Sequence, residues 1–186
     1  MGILKKDFKY KHIKNFFNQT EIDIGRYYFL LRHKRNVQEF DLKQNNCGDS
    51  AFYSDSLTDT LLLKKLSRMQ KETGLKLIPT YAYSRVYSYN AILKKHKDRP
   101  SCEVSVTAMW GSCGTSWPIF MGDTPIEMVP GDAIIYLGCE LEHSRKNFTG
   151  DWHAQTFFHY VDKAGPYQDY KFDKRHPYDD PEVFLK

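Results

Sequence analysis

From residue 77 onward the chain is a run of short aromatic and β-branched segments broken by turn residues, and few folds accommodate that pattern. Residues 77–89 alternate and are rich in Tyr, residues 102–110 are β-rich, and 117–121 and 125–129 are two short segments separated by Gly122-Asp123. Pro130-Gly131-Asp132 makes a turn before the strongly apolar 133–141, and 152–161 closes the series. Aromatic and β-branched side chains pack well on a pleated surface, and Gly, Pro and Asp supply the turns between strands. The pattern predicts a mainly β fold, an all-β barrel or jelly roll, buttressed by helix. The 13 Tyr and 12 Phe of the 186 residues fit such a sheet-rich core.

The segments before residue 77 supply the buttress. Leu57, Leu61, Leu62, Leu66 and Met69 recur at helical spacing, Ser54 or Ser56 stands where a cap is needed, and Gly74 stands at the expected end. Residues 24–33, with Tyr27-Tyr28-Phe29, read as a strand, and the polar 36–53 as loop. Residues 1–23 read as a basic N-terminal segment, 24–162 as one domain with its β core at about 77–162, and 163–186 as an extension strapped over the surface. The net charge of +4 is mild, so the lysines at 5, 6, 9, 11 and 14 read as solvated and no nucleic-acid partner is expected. Cys47, Cys102, Cys113 and Cys139 form no C-x-x-C pair, which argues against a zinc cluster. With no apolar leader and no long apolar run, the expectation is a cytoplasmic protein without a membrane partner, monomeric or homodimeric.

The chemistry points to His96-Lys97-Asp98 and to His143, 45 residues beyond Asp98. Residues i and i+2 of a strand project from one face, so His96 and Asp98 point together, and His143 follows a strong strand. Two imidazoles and one carboxylate on one face of a metal leave coordination positions open, as in non-heme Fe(II) oxygenases, whereas a closed four-ligand zinc site leaves none. The spacing alone is a weak signal, because H-x-D recurs by chance.

Several further residues stand in order around this core. They are Arg85-Val86-Tyr87, then His96-x-Asp98-Arg99-Pro100-Ser101-Cys102-Glu103, then Pro130-Gly131-Asp132, and then Leu141-Glu142-His143-Ser144-Arg145. From Thr80 to Asp162 the sequence resembles the Fe(II)/2-oxoglutarate dioxygenase superfamily, in its prolyl-hydroxylase-like branch, and is similar to short stand-alone bacterial and phage members. The resemblance implies a double-stranded β-helix of the jelly-roll, cupin-like kind. It implies His96, Asp98 and His143 as the iron ligands, with 2-oxoglutarate and O2 as co-substrates. It also implies hydroxylation of an unactivated C–H in a small-molecule or peptidyl substrate, an amino acid such as proline being the leading choice.

One departure stands out. The family's Arg or Lys that pairs with the far carboxylate of 2-oxoglutarate lies nine or ten residues after the second His, where this chain has Trp152 and His153. Charge-assisted pairing is the reason for a base there. A protonated His153 is one candidate; Arg145, Arg85 and Gln155 are others. Arg145 with Tyr87 as hydroxyl donor is the preferred pair. Arg99 either holds substrate or pairs with Glu103. His159, far along the closing strand from its mouth, reads as a packing or surface residue, and Cys139 as an inert thiol of the barrel core. Two rival readings remain open: a cupin-like metal enzyme that does not use 2-oxoglutarate, and a non-catalytic ligand- or peptide-binding barrel.

Overall fold

The computed structural model describes residues 8–35 and 49–175. The chain runs through β1 (Tyr10–Ile13), α1 (Gln19–Lys34), β2 (Ser50–Tyr53), α2 (Ser56–Thr73), β3 (Leu77–Ser88) and β4 (Leu93–His96). After a 3-10 turn at Pro100–Cys102 come β5 (Val104–Ser112), β6 (Ile119–Met121), β7 (Thr124–Ile126), β8 (Ala133–Tyr136), β9 (His143–Arg145) and β10 (Trp152–Asp162), and a second 3-10 segment spans Gln168–Lys174. The strands form a six-stranded sheet ordered β1-β8-β5-β10-β3-β2 and a four-stranded sheet ordered β4-β9-β6-β7. From β4 to β10 the chain passes back and forth between the two sheets, which is the winding of a double-stranded β-helix.

The large sheet has two faces with different jobs. On one, Val86, Val106, Ala154 and Phe158 join Phe29 of α1 and Leu62 and Met69 of α2 in the main core. The other faces the small sheet, where Ile134 and Tyr136 of β8 pack with Ile119 and Met121 of β6. The period-2 alternation of strands therefore sends Tyr81, Tyr83, Arg85 and Tyr87 of β3 inward, together with His153, Gln155, Phe157 and His159 of β10.

Several expectations need correction. Residues 24–33 are not a strand but most of α1. Asn18 and Glu21 close a reciprocal capping box, each side chain accepting from the other's backbone N–H at 2.9 Å. Ile22, Gly25 and Phe29 form its buried stripe, at helical spacing. Gly25 is required because a Cβ there would sit 2.3 Å from the Trp110 ring. The aromatic run has β propensity, but cap and packing override it. Residues 50–53 are not loop but the edge strand β2 on β3, while 36–48, with Cys47, lie outside the described residues. The cap of α2 is neither Ser54 nor Ser56 but Asp55, which accepts from Leu57 N–H at 3.0 Å. At the N-terminus, β1 pairs with β8, and Phe16 and Phe17 are buried in the main core. Among the described residues no helix is long and apolar enough to cross a membrane.

The apolar 133–141 is not one strand. It leaves the large sheet after Tyr136, turns through Leu137–Leu141, and re-enters as β9 of the small sheet. Gly138 sits in that turn, where a Cβ would come within 2.3 Å of Cys102 O and 2.5 Å of Asp98 Oδ2. Cys139 consequently lies in the turn, its thiol donating to Arg99 O at 3.2 Å, and not in the barrel core.

Candidate metal and co-substrate site

β4 and β9 are antiparallel neighbours, and His96 is the register partner of His143. Asp98 follows two residues beyond the end of β4, held by its N–H to Gly138 O at 2.8 Å. The result brings together the three residues that the sequence singled out. Asp98 Oδ1 lies 3.6 Å from His96 Nε2 and 3.5 Å from His143 Nε2, and the three ligand atoms lie within 4.8 Å of one another. Each imidazole is oriented from behind: His96 Nδ1 meets Lys94 O at 2.7 Å and His143 Nδ1 meets Leu141 O at 3.1 Å. A carbonyl oxygen only accepts, so Nδ1 carries the hydrogen and Nε2 is left as the donor atom for a metal. Asp98 is oriented likewise, its Oδ2 accepting from Ser105 Oγ at 3.1 Å and Tyr136 OH at 3.4 Å. Burial alone would raise its pKa, but hydrogen bonding with the His143 and His96 rings, in which a proton on Nε2 stands in for a metal, outweighs that and holds the carboxyl well below the usual range. His96 moves the other way, its pKa raised by the hydrogen bond to Asp98. Two imidazoles clustered on one ionised carboxylate form a donor set that fits a divalent transition metal.

The triad opens onto a cavity of about 280 Å³ whose walls include Tyr81, Tyr83, Arg85, Tyr87, Phe157 and His159. Arg85 therefore reaches the cavity, but it does so paired: Nη2 donates to the buried Asp49 carboxylate at 2.7 Å. Sequence reasoning did not find Asp49. It also placed His159 away from the site, whereas His159 is buried in the wall, with Nδ1 2.9 Å from the same Ser105 hydroxyl that holds Asp98. Burial lowers its pKa to about 4, so it is neutral. The signal was present, since residues 153, 155, 157 and 159 share one strand face. Asp98, Cys102 and His159 also cluster. Burial pushes the Cys102 thiol up to about 12, however, so it remains a protonated partner of Tyr81 OH at 3.1 Å.

Arg145, His153 and Gln155 meet deeper in the barrel. Gln155 Oε1 accepts from Arg145 Nη2 at 2.8 Å and lies 3.1 Å from His153 Nε2, its Nε2 donates to Thr107, and Arg145 Nη1 donates to Trp117 O. His153 does not supply a charge: burial, aided by the Arg145 cation, drives its pKa well below the ordinary value. Burial also lowers Arg145, to about 10, which leaves it charged at neutral pH. Arg145 is 2% exposed, and among the described residues no carboxylate forms an ion pair with it. Among the described residues Arg145 Nε and Tyr87 OH are buried donors without a hydrogen-bond partner, and His153 Nδ1, whose ring Nε2 carries the hydrogen toward Gln155 Oε1, is a buried acceptor without one. A buried cation and orphaned donors cost free energy unless something satisfies them, and a carboxylate fits that role.

No protein-family model matches the sequence, and no curated protein is significantly similar to it. Solved structures do match in fold. The prolyl-4-hydroxylase of Pseudomonas putida superposes with a TM-score of 0.61 at 15% identity, over 85% of this chain and 95% of that one. HygX from Streptomyces hygroscopicus, solved with nickel and 2-oxoglutarate bound, gives 0.63 at 10% identity over 86% and 85%. The viral collagen prolyl hydroxylase of Paramecium bursaria Chlorella virus-1, a 2-oxoglutarate complex, gives 0.62 at 11% identity over 83% and 96%. The chain shares the double-stranded β-helix of these oxygenases.

Proposed function

We propose that the chain is a non-heme Fe(II)- and 2-oxoglutarate-dependent oxygenase that hydroxylates an unactivated C–H bond of a small or peptidyl substrate such as an amino acid. The observation that carries this reading is the convergence of His96 Nε2, His143 Nε2 and Asp98 Oδ1 within 4.8 Å at the wall of a cavity. Iron with its co-substrate would supply the activation of O2 that no side chain provides. The protein's part is binding and orientation. His96, Asp98 and His143 would hold the metal, three protein ligands that leave it free to take co-substrate and O2.

Arg145 and Tyr87 would take the far carboxylate of 2-oxoglutarate. This replaces the base usually found nine or ten residues after the second His with one donated from β9, two residues after it. A buried guanidinium with no acidic partner among the described residues supports an anionic ligand over an empty cupin-like barrel. The aromatic walls would exclude water from the reacting carbon. Cys102, Cys113 and Cys139 are free, which fits a reducing, cytoplasmic setting.

The test is anaerobic addition of Fe(II) and then 2-oxoglutarate, watching for the visible metal-to-ligand charge-transfer band, followed by aeration and assay of succinate. A band and succinate are expected. Their joint absence would sink the reading.

A further inference from the structure

At the cavity mouth a carboxylate is already bound, and it belongs to the chain itself. Arg99, the residue after Asp98, lines the cavity, with its guanidinium 4.6 Å from the Tyr81 ring centre. It does not pair with Glu103. Its Nη1 and Nη2 instead donate to the two oxygens of Asp173 at 2.9 and 2.6 Å, and Tyr53 OH, from another cavity residue, donates to Asp173 Oδ2 at 2.5 Å. This is a built carboxylate cradle: a planar fork meeting both oxygens, with a hydroxyl added.

The segment that delivers Asp173 is strained. Phe172, Asp173 and Lys174 have φ of 45°, 57° and 59°, the left-handed region that L-residues with side chains avoid. The segment is also anchored without Asp173. Phe172 is buried, and Arg175 donates to Asp59 Oδ2 at 2.8 Å and to Thr80 O at 3.3 Å. The Asp173 contact is therefore not needed to keep the strap on the surface. Backbone held in such a state by neighbouring contacts is characteristic of clamps and switches.

We infer that Arg99 and Tyr53 form the specificity site for the α-carboxylate of a free or C-terminal amino acid, and that Asp173 occupies this site until substrate displaces it. The inference rests on the oxygenase reading for what happens to the substrate, but not for its binding. The occupant of the cradle is the Asp173 carboxylate, so the ligand class follows from it. Displacement releases Asp173 from the left-handed run while Phe172 and Arg175 keep the strap in place.

The test uses the full chain. The probes are the common free amino acids and their N-acetyl derivatives, each beside its carboxamide. Binding is followed by calorimetry on metal-free protein and, anaerobically, by the charge-transfer band of protein loaded with Fe(II) and 2-oxoglutarate. At least one free carboxylate is expected to bind and perturb the band, with its carboxamide about tenfold weaker or worse. Asp173→Asn is expected to tighten that carboxylate about tenfold by removing the internal competitor. Tyr53→Phe and Arg99→Met are expected to weaken it. Thermal unfolding identifies any variant that fails to fold, and Tyr53→Phe with Asp173→Asn then carries the test without Arg99→Met. Three results would overturn the inference: equal binding of carboxylate and carboxamide, unchanged affinity in folded Asp173→Asn, or no probe bound by either protein. A missing band on addition of 2-oxoglutarate would instead fault the oxygenase reading, and calorimetry would still report on the cradle.

Discussion

His143 stands directly across the β4–β9 ladder from His96, with ring centres 4.3 Å apart and Asp98 Oδ1 within 3.6 Å of both Nε2 atoms. The small sheet thus positions the two imidazoles by backbone register, and the third donor depends on the Gly138 turn.

That dependence can be measured. Gly138→Ala would place a Cβ 2.5 Å from Asp98 Oδ2 and 2.3 Å from Cys102 O, so the carboxylate must shift. The expected outcome is a loss of Fe(II) or Co(II) affinity of about 10–100-fold, the usual cost of disturbing a ligand's support. His143→Ala is expected to abolish binding. Calorimetric titration checks both, and wild-type affinity in Gly138→Ala would contradict the assignment of Asp98.

Arg145→Met separates ligand binding from stability. In the free protein Arg145 is a buried cation without an ionic partner among the described residues, so an apolar side chain of similar length should leave the melting temperature nearly unchanged or raise it. 2-Oxoglutarate at a hundred times its Kd should stabilise the wild type by about 2.7 kcal/mol, and the variant should lack this increment. His153→Ala should keep it, because His153 is neutral. Thermal shift with and without the co-substrate reads all three.

Asp49 and Arg85 form an ion pair with both side chains almost wholly buried, 3% and 2% exposed. Removing one partner strands a buried charge. Asp49→Ala is therefore expected to cost about 3–5 kcal/mol, while Asp49→Ala with Arg85→Met recovers part of the loss. Urea unfolding of the single and double variants gives the coupling directly.

Cys113 gives a pH prediction outside the site. Burial would raise its thiol, but hydrogen bonding with Thr115 and from the Asp151 N–H brings it down to about 7. Burial pushes Cys139 up to about 11. The thiolate is the reactive form, so Cys113 alkylation should rise with pH through about 7 and then level off. Cys139 should stay slow until far more alkaline pH. Peptide mass spectrometry after timed iodoacetamide treatment distinguishes them, and equal rates at neutral pH would refute the assignment.

Much of this protein is legible in its sequence. Period-2 alternation determines which residues of β3 and β10 face inward, and the helical stripe from Leu57 to Met69 determines α2. Those two are local consequences of backbone geometry. The i, i+2 spacing of His96 and Asp98 singles out two metal donors, but Asp98 lies beyond the end of β4 and is held beside His96 by Gly138 O, 40 residues on.

What tertiary structure decided lies where a distant residue overrides a local preference. Tyr27-Tyr28-Phe29 favours a strand, but the Asn18–Glu21 cap and the fit of Gly25 against Trp110 make it helix. The apolar 133–141 reads as one strand, but the chain must change sheets to bring His143 opposite His96. His159 and Asp98 share the Ser105 hydroxyl from positions far apart in the chain, and Arg99 finds Asp173, 74 residues away, in place of the nearby Glu103. Burial decides the charges as well, leaving His153 neutral and Arg145 cationic. Spacing along the chain carries none of this, because desolvation and pairing depend on what the fold brings from elsewhere.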